Sequence, residues 1–245
     1  MRSTAQSMKS TAQSRMHSGQ MTDLAYRHAL ANRPHPLHAF DALAVIMQRR
    51  RGEEICSQGV SADYWYLVIS GAARRCAIRA DGRRQIVDLL LPGDFFGIAS
   101  DGESDVTVEA AEEVTAVAAY PCRRIESLAA SNPNITREIR RIADTSLSRL
   151  QAQLLILGRV TALQKVGAFI LEIAARLSDG DTDKVALPVS RYDIADYLGL
   201  SVETVSRSIS NFQHRGAIKL LDARTVNIVD RHVLMMGRGA HRLSA

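Results

Sequence analysis

Hydrophobic and polar residues form short alternating runs in the first half of the chain and follow a helical period in the second half. Between Phe40 and Tyr120, glycine interrupts the apolar runs at positions 52, 59, 71, 82, 93 and 97. This pattern predicts an antiparallel β barrel or roll. Asp81-Gly82 and Pro92-Gly93-Asp94 are turn signals. Four runs have the composition of strands: Tyr64–Ile69, Ala73–Arg79, Gln85–Leu91 and Val114–Tyr120.

A long amphipathic helix is predicted after Asn132-Pro133, a dipeptide typical of a helix start. Its apolar stripe can pair with its own copy as a coiled-coil seam. We favour this over packing within the chain alone, because a long helix between two domains has little else to cover it. Gly158 ends the run, and Thr161 can cap a second helix through Ser178. The stripe recurs at steps of three and four with one skip: Ile135, Ile139, Ile142, Leu147, Leu150, Leu154 and Leu157.

Two short helices joined by a glycine turn are predicted further along the chain. Ser190-Arg191-Tyr192-Asp193 has the form of a capping box, so a helix should begin there. An aspartate at position 190 should cap this helix about as well. Gly199 supplies the turn, which makes the segment a helix-turn-helix. The residues expected to face inward are Ile194, Ala195 and Leu198 on the first helix and Val205, Ile209 and Phe212 on the second.

The outer face of the second helix carries residues suited to base edges. Arginine reaches guanine O6 and N7, glutamate accepts from the cytosine amino group, and serine touches the thymine methyl. The alternative is an ordinary solvated face, in which Glu203 and Arg207 form an i,i+4 pair worth about a few tenths of a kcal/mol. The exposed residues are Glu203, Ser206, Arg207, Ser210 and His214.

A wing hairpin is predicted after the second helix. Ala217–Leu221 and Thr225–Val229 are its expected strands around Asp222-Ala223-Arg224, and Arg224 can meet the phosphate backbone. Ser190 should also lie beside the backbone, because the first helix of such a motif crosses it. We therefore predict base contacts from Glu203, Ser206 and Arg207. Backbone contacts are predicted from Ser190, Val202, Thr204, Ser210, His214 and Arg224.

The charge distribution agrees with a polyanionic partner near the C-terminus. The net charge is +5, but residues 37–130 carry 10 basic and 14 acidic side chains, a net −4. Residues 184–245 carry 9 basic and 5 acidic side chains, a net +4. A positive tail suits phosphate neutralisation, although charge alone fits a merely soluble basic surface about equally well.

Composition excludes several other classes of protein. No apolar run approaches the roughly 20 residues of a membrane helix and no signal peptide is visible, so we expect a cytoplasmic location. The first 22 residues lack acids and contain a near repeat, which predicts disorder or a segment foreign to the fold. Cys56, Cys76 and Cys122 are too far apart for a CxxC metal pair and are interpreted as buried reduced thiols.

Taken jointly, these motifs resemble the CRP/FNR superfamily of bacterial regulators, of the FixK type, over residues 38–232. That resemblance implies a β-roll effector-type domain, a long dimerisation helix and a winged helix-turn-helix. It also implies that Glu203, Ser206 and Arg207 form the E-x-x-S-R motif, which reads TTGAT in each half of a palindrome. The motifs that carry the resemblance are Gly52-Glu53-Glu54-Ile55, Gly59, Ala62-Asp63, Gly71, Pro92-Gly93-Asp94-Phe95-Phe96-Gly97 and the Asp193–Arg207 segment.

Departures from the family pattern argue against its usual cofactors. Relatives that bind cyclic AMP carry an Arg-Ser pair where this chain has Glu103-Ser104-Asp105-Val106, and a carboxylate there repels the phosphate. Relatives with an iron–sulfur cluster have three clustered cysteines before the roll, whereas this chain has none before Cys56. Haem stays open, but no histidine lies between His38 and His214, which also argues against a metal enzyme. We expect neither cofactor nor metal.

The predicted fold class is α+β, with an N-terminal antiparallel β-roll, a dimerisation helix and a C-terminal winged helix-turn-helix. The predicted domains are a 1–36 extension, a 37–130 roll, a 131–160 dimerisation helix and a 161–245 DNA-binding domain. The predicted function is a homodimeric activator that binds double-stranded DNA and RNA polymerase, not an enzyme and not a membrane protein. FixK-type relatives imply control of microoxic respiration, nitrogen-fixation or denitrification genes. Two alternatives stay open, a regulator gated by a small molecule other than cyclic AMP and a β-roll enzyme, although the enzyme lacks clustered catalytic residues.

Overall fold

The structure is a computed structural model that describes residues 23–59, 63–78, 82, 84–97, 106–177 and 183–237. Within these residues, eight strands form the N-terminal half of the protein. The expectations for residues 1–22, Ala62, Arg79, Asp81, Glu103-Ser104-Asp105 and Ser178 lie outside the described residues. The strands are β1 (Val45–Arg50), β2 (Glu54–Cys56), β3 (Tyr64–Ser70), β4 (Ala73–Ile78), β5 (Arg84–Leu90), β6 (Phe95–Phe96), β7 (Thr107–Ala110) and β8 (Val114–Pro121).

These strands form two antiparallel sheets, ordered β1-β8-β3-β6 and β2-β7-β4-β5, that pack face to face as a roll. The four predicted strands are confirmed, each end within one residue of the observed β3, β4, β5 and β8. The hairpin expected between β4 and β5 is consistent with their antiparallel pairing and with Gly82 at φ +78°. The interior between the sheets is apolar and consists of Ile55, Val68, Ala73, Leu90, Phe96, Val108 and Val117.

Gly71, in the turn between β3 and β4, has no room for a side chain. It has φ +73°, and a Cβ there would lie 2.5 Å from the carbonyl oxygen of Val114. Close approach of β8 to this turn therefore requires glycine.

Helices cover the outer face of the β1-β8-β3-β6 sheet. They are α1 (Asp23–Ala31), a 3₁₀ helix (His38–Leu43), α2 (Cys122–Ser131) and the first half of α3 (Pro133–Leu157). No element was predicted within residues 23–36, yet Tyr26 and Leu30 of α1 are buried against Trp65 and Tyr120 of the sheet. The apolar pattern of α1 covers only nine residues, which was too short to distinguish this helix from the polar segment before it.

The long helix α3 begins and ends where the sequence predicted. Pro133 occupies its first turn, the Asn132 side chain accepts the backbone N–H of Asn134 at 3.0 Å, and Gly158 follows its last residue. Helix α4 (Ala162–Leu177) is capped by Thr161, whose hydroxyl accepts the N–H of Gln164 at 3.2 Å. Within the described residues, no helix combines the length and apolarity needed to cross a membrane.

The C-terminal part is a small helical unit with a three-stranded sheet. It comprises β9 (Lys184–Ala186), α5 (Arg191–Leu198), α6 (Val202–His214), β10 (Ile218–Leu220), β11 (Thr225–Ile228) and α7 (Arg231–Met236). The sheet has the order β10-β11-β9, so the predicted hairpin gains a third strand that the sequence pattern did not indicate. Its core is continuous with residues of the roll, because Ile86 and Leu89 belong to the same apolar cluster as Phe169 and Tyr197.

Candidate nucleic-acid interface

Helix α5 begins at a complete capping box, as predicted. The Ser190 hydroxyl oxygen accepts the backbone N–H of Asp193 at 3.2 Å, and the Asp193 carboxylate accepts the backbone N–H of Ser190 at 3.1 Å. The Ser190 hydroxyl also donates to the same carboxylate at 2.6 Å. These bonds satisfy the N–H groups of Ser190 and Asp193, and the first turn of a helix offers further N–H groups to an external acceptor.

The turn between the two helices is the one expected of a helix-turn-helix. Gly199 ends α5 in the left-handed region at φ +64°, which favours glycine. Ser201 then caps α6 by accepting the N–H of Thr204 at 3.2 Å. The predicted inward residues are all buried: Ile194, Ala195, Leu198, Val205, Ile209 and Phe212.

The predicted base-contacting residues lie together on the outer face of α6. Glu203 and Arg207 are exposed and Ser206 is half-buried. The pKa of Glu203 is lowered by hydrogen bonds from its own backbone N–H and then from the Ser201 hydroxyl, so this carboxylate is a ready acceptor. The Arg207 guanidinium reaches the Thr204 hydroxyl at 3.4 Å. The charge of Arg207 also contributes to the lowered pKa of Glu203, after the two hydrogen bonds, so the two side chains attract each other without a close ion pair among the described residues.

The wing and the start of α5 share a groove of 270 Å³. Ser190, Arg191 and Tyr192 line it on one side and Arg224 on the other. Asp222 shapes the wing turn by accepting the N–H groups of Arg224 at 2.8 Å and Thr225 at 2.7 Å. Arg191 and Arg224 line this otherwise largely apolar groove at the start of α5, and their positive charges suit a phosphate oxygen.

The remaining residues of the predicted backbone contact occupy different positions on α6. Ser210 and His214 are exposed on later turns, whereas Val202 and Thr204 are half-buried in the first turn. The Thr204 hydroxyl is already hydrogen bonded to that of Ser201 at 3.0 Å.

The apolar stripe of α3 divides into two parts. Ile142 is buried in its own chain and Ile135 and Ile139 pack against the same core, so the first part covers the roll. In the second part Leu147 and Leu154 are exposed, Leu154 by 67%, and Leu155 beside them is exposed by 75%. The other members of the second part, Leu150 and Leu157, are half-buried.

The cysteines match their interpretation in part. Cys76 and Cys122 are buried, whereas Cys56 is half-buried, and among the described residues none of the three forms a disulfide. Burial raises the pKa of Cys76 to about 11, which keeps its thiol protonated. Among the described residues no group of three or more histidine, cysteine, aspartate or glutamate side chains could hold a metal ion.

Sequence reasoning missed a set of charged contacts between the roll and α5. Arg74 of β4 bonds Asp193 at 2.5 Å, and Arg84 of β5 bonds Asp196 at 2.9 Å. The partners are 119 and 112 residues apart in sequence, so no local pattern could have found them.

Comparison with known proteins identifies both parts of the chain. Residues 46–132 match the family model of the cyclic nucleotide-binding domain, and residues 164–236 match that of the Crp-like helix-turn-helix domain. A relative, the nitrogen fixation regulation protein FixK of Rhizobium meliloti, is 38% identical over 183 residues, covering 75% of this chain and 82% of its own. The transcriptional activator protein FnrA of Stutzerimonas stutzeri is 32% identical, covering 78% and 80%.

Solved structures agree with these matches. FixK2 from Bradyrhizobium japonicum superposes with a TM-score of 0.72 at 36% identity, covering 78% of this chain and 95% of that one. A transcriptional regulator of the CRP family from Thermus thermophilus gives a TM-score of 0.61 at 26% identity, covering 78% and 95%. The α+β architecture predicted from sequence is thereby confirmed, including its roll and winged helix-turn-helix.

Proposed function

The chain belongs to the CRP/FNR family of transcription regulators and is a DNA-binding transcription activator, and from this premise we propose that it binds a TTGAT-N4-ATCAA-like palindrome as a homodimer. The observation that carries the proposal is the outer face of α6, where Glu203, Ser206 and Arg207 point away from a buried inner face. We call α6 the recognition helix from here on.

Each of the three residues has a role that its chemistry supports. The Arg207 guanidinium makes only a long hydrogen bond to Thr204, at 3.4 Å, among the described side chains, so its N–H groups can turn to the O6 and N7 atoms of guanine. The ionised Glu203 carboxylate accepts from a cytosine amino group, and Ser206 contacts a thymine methyl. Arg207 supplies most of the specificity, because a bidentate contact discriminates against the wrong base by about 1–3 kcal/mol.

Contacts to the DNA backbone orient the recognition helix without reading sequence. The groove between Ser190 and Arg224 takes a phosphate, and the positive end of the α5 dipole favours the negative charge. The proposed backbone contacts are Ser190, Val202, Thr204, Ser210, His214 and Arg224.

The second part of the α3 stripe supplies the proposed dimer seam. Leu147 and Leu154 expose large apolar surfaces on a helix that lacks a cover on that side among the described residues. A second copy of α3 buries them and brings two recognition helices to half-sites about one helical turn apart. Three members that the sequence assigned to the seam, Ile135, Ile139 and Ile142, face the core of their own chain, so the proposed seam rests on the leucines.

The biological setting is proposed from the relatives. FixK proteins are named as nitrogen fixation regulators, so we propose that this activator acts in the cytoplasm on microoxic respiration, nitrogen-fixation or denitrification genes and recruits RNA polymerase. Residues 37–130, 131–160 and 161–245 would then be its effector-type, dimerisation and DNA-binding domains.

The experiment is a binding titration of the purified protein against two labelled duplexes. One contains the TTGAT-N4-ATCAA palindrome and the other has the same base composition in scrambled order. We expect binding to the palindrome to be at least about 1,000-fold tighter at fixed salt. Equal affinity for the two duplexes would disprove the proposed sequence.

A further inference from the structure

Strand β5 is bonded to the dimerisation helix on one side and to the helix-turn-helix on the other. Near its end, Asp88 accepts hydrogen bonds from Arg149 of α3, with Arg149 Nη2 at 2.9 Å from Asp88 Oδ2. At its start, Arg84 Nη2 lies 2.9 Å from Asp196 Oδ2 of α5. A short stretch of one strand therefore separates the contact to α3 from the contact to α5.

The neighbouring strand β4 strengthens the contact to α5. Arg74 bonds the Asp193 carboxylate at 2.5 Å and the Glu109 carboxylate of β7 at 2.8 Å. The Gln85 side chain adds a hydrogen bond to the backbone carbonyl of Asp196. Two strands thus hold α5 through its carboxylates and its backbone at once.

Asp193 is the residue that joins this contact to the helix start. Its carboxylate bonds Arg74 through Oδ1 and Ser190 through Oδ2, and its side chain is only 4% exposed. A shift of α5 against the roll would leave a buried carboxylate without its cation, which is strongly unfavourable. The ion pair therefore favours the observed position of α5.

The covalent connection between α3 and α4 does not impose the same restraint. Residues 158–161 link the two helices, and Val160 in the middle of the link is 93% exposed. Apolar packing of Ile86 and Leu89 against the helical unit also stabilises the contact between the two parts, but such packing is not directional. Charge-assisted hydrogen bonds are directional and so determine the angle at which the two parts meet.

We propose that these ion pairs, from Arg149 through β5 to Asp196 and from β4 to Asp193, set the angle of the recognition helix relative to the dimerisation helix and thereby select the spacing between half-sites. Helix α5 transmits the angle, because it packs on the recognition helix through buried Ile194 and Ile209. This inference rests on the proposed function, since spacing has meaning only for a dimer on a palindrome.

The test uses Arg84 and Asp196, whose side chains are 31% and 36% exposed, so variants there should fold. The proteins are Arg84→Asp, Asp196→Arg and the double variant with both changes. Arg124→Asp, an exposed α2 residue distant in sequence from these contacts, controls for the change in net charge. Each is titrated against palindromes with three-, four-, five- and six-base spacers and against a duplex with a single half-site.

We expect the wild type to prefer one spacer and both single variants to lose that preference by about tenfold, a usual size for coupling between distant sites. Half-site affinity should be unchanged, because the recognition helix itself is intact. The double variant should regain part of the spacer preference, because Arg84 also pairs with Asp193 and Glu109 at 3.5 Å and the exchange restores only the contact with position 196. Arg124→Asp should keep the preference.

Three outcomes would overturn the inference. Single variants could keep the wild-type spacer preference, the double variant could regain none of it, or half-site affinity could fall together with palindrome affinity. A wild type that binds palindromes and scrambled duplexes equally would instead disprove the proposed function, and the spacing inference with it.

Discussion

Arg149 of α3 and Asp88 of β5 form a buried ion pair in which the guanidinium meets both carboxylate oxygens, at 2.9 Å through Nη2 and 3.0 Å through Nε. The two side chains are 7% and 1% exposed, and Arg149 also bonds Asp94 at 3.1 Å. Desolvation alone would lower the pKa of Arg149, but the two aspartates outweigh it and raise the pKa. Arg149 thus pairs with two carboxylates of the roll, and Arg75 and Arg176 make further ion pairs with Asp88 and Asp94, respectively.

Removing this arginine should strongly destabilise the fold. Arg149→Met leaves the buried Asp88 with only the longer contact to Arg75, whose Nη1 lies 4.0 Å from Asp88 Oδ2, and should lower the free energy of unfolding by up to about 3–5 kcal/mol. Arg141→Met is the control, because its ion pair with Glu138 is exposed and worth less than about 1 kcal/mol. Urea denaturation at one protein concentration measures both. Similar losses for the two variants would contradict the importance assigned to burial.

Glu172 of α4 should make stability depend on pH. Burial raises its pKa, the nearby Asp88 and Asp94 add to the rise, and Arg176, which bonds it at 3.1 Å, opposes it. One carboxylate oxygen, Oε2, is buried and has no hydrogen-bond partner among the residues that the structure describes. Because the folded pKa exceeds the unfolded one, the folded protein holds the proton more tightly. The stabilisation that comes from this tighter proton binding is fully present below the pKa of the unfolded state and is lost as the pH rises through the pKa of the folded state.

The variant Glu172→Gln isolates that effect. Glutamine stays neutral at every pH. The free energy of unfolding of the variant should therefore increase relative to that of the wild type as the pH rises from about 5 to 8, because only the wild type loses the stabilising proton. Chemical denaturation of both proteins at fixed concentration across this range gives the difference. A difference that stays constant with pH would show that Glu172 ionises equally in both states.

Local signals in the sequence were sufficient for the helix-turn-helix and for the longer strands. Ser190, Gly199 and Asn132 act through residues within a few positions, so their caps and turns could be predicted. Contacts such as Arg74 with Asp193 depend on how the chain returns to itself, which no periodicity records. For the same reason the stripe on α3 was visible, but its division at Ile142 into a part facing the core and an exposed part was not.

The exposed leucines of α3 predict the behaviour of the dimer. Leu154→Asp or Leu150→Asp should place a charge in the proposed seam and convert the dimer to a monomer, because a buried unpaired carboxylate is costly. Leu24→Asp on α1 is the control, since Leu24 is exposed by 77% outside the seam. Sedimentation velocity separates the two species. A dimer that persists in both seam variants would exclude this part of α3.

Arg207 and Arg224 should differ in what they contribute to DNA binding. Arg207→Ala should cost about 1–3 kcal/mol on the palindrome and little on random DNA, because the contact is to a base edge. Arg224→Ala should weaken binding to both duplexes alike and reduce the slope of affinity against salt by about 1, as a phosphate contact does. Anisotropy titrations at several salt concentrations measure both. Equal loss on both duplexes for Arg207→Ala would make it a backbone contact.

Ser190 tests the cap and the phosphate contact together. From sequence, aspartate at this position should cap as well as serine, but the Ser190 hydroxyl donates to the Asp193 carboxylate at 2.6 Å. A second carboxylate there cannot donate and repels the first, so Ser190→Asp should lower the melting temperature, whereas Ser190→Asn can cap and donate.

At a temperature where both variants are folded, Ser190→Asp should also bind palindrome and random DNA more weakly than Ser190→Asn, because its charge faces a phosphate. Equal DNA affinity for the two variants would rule out that contact. Equal melting temperatures would show that the bond from the hydroxyl to Asp193 contributes nothing to the cap.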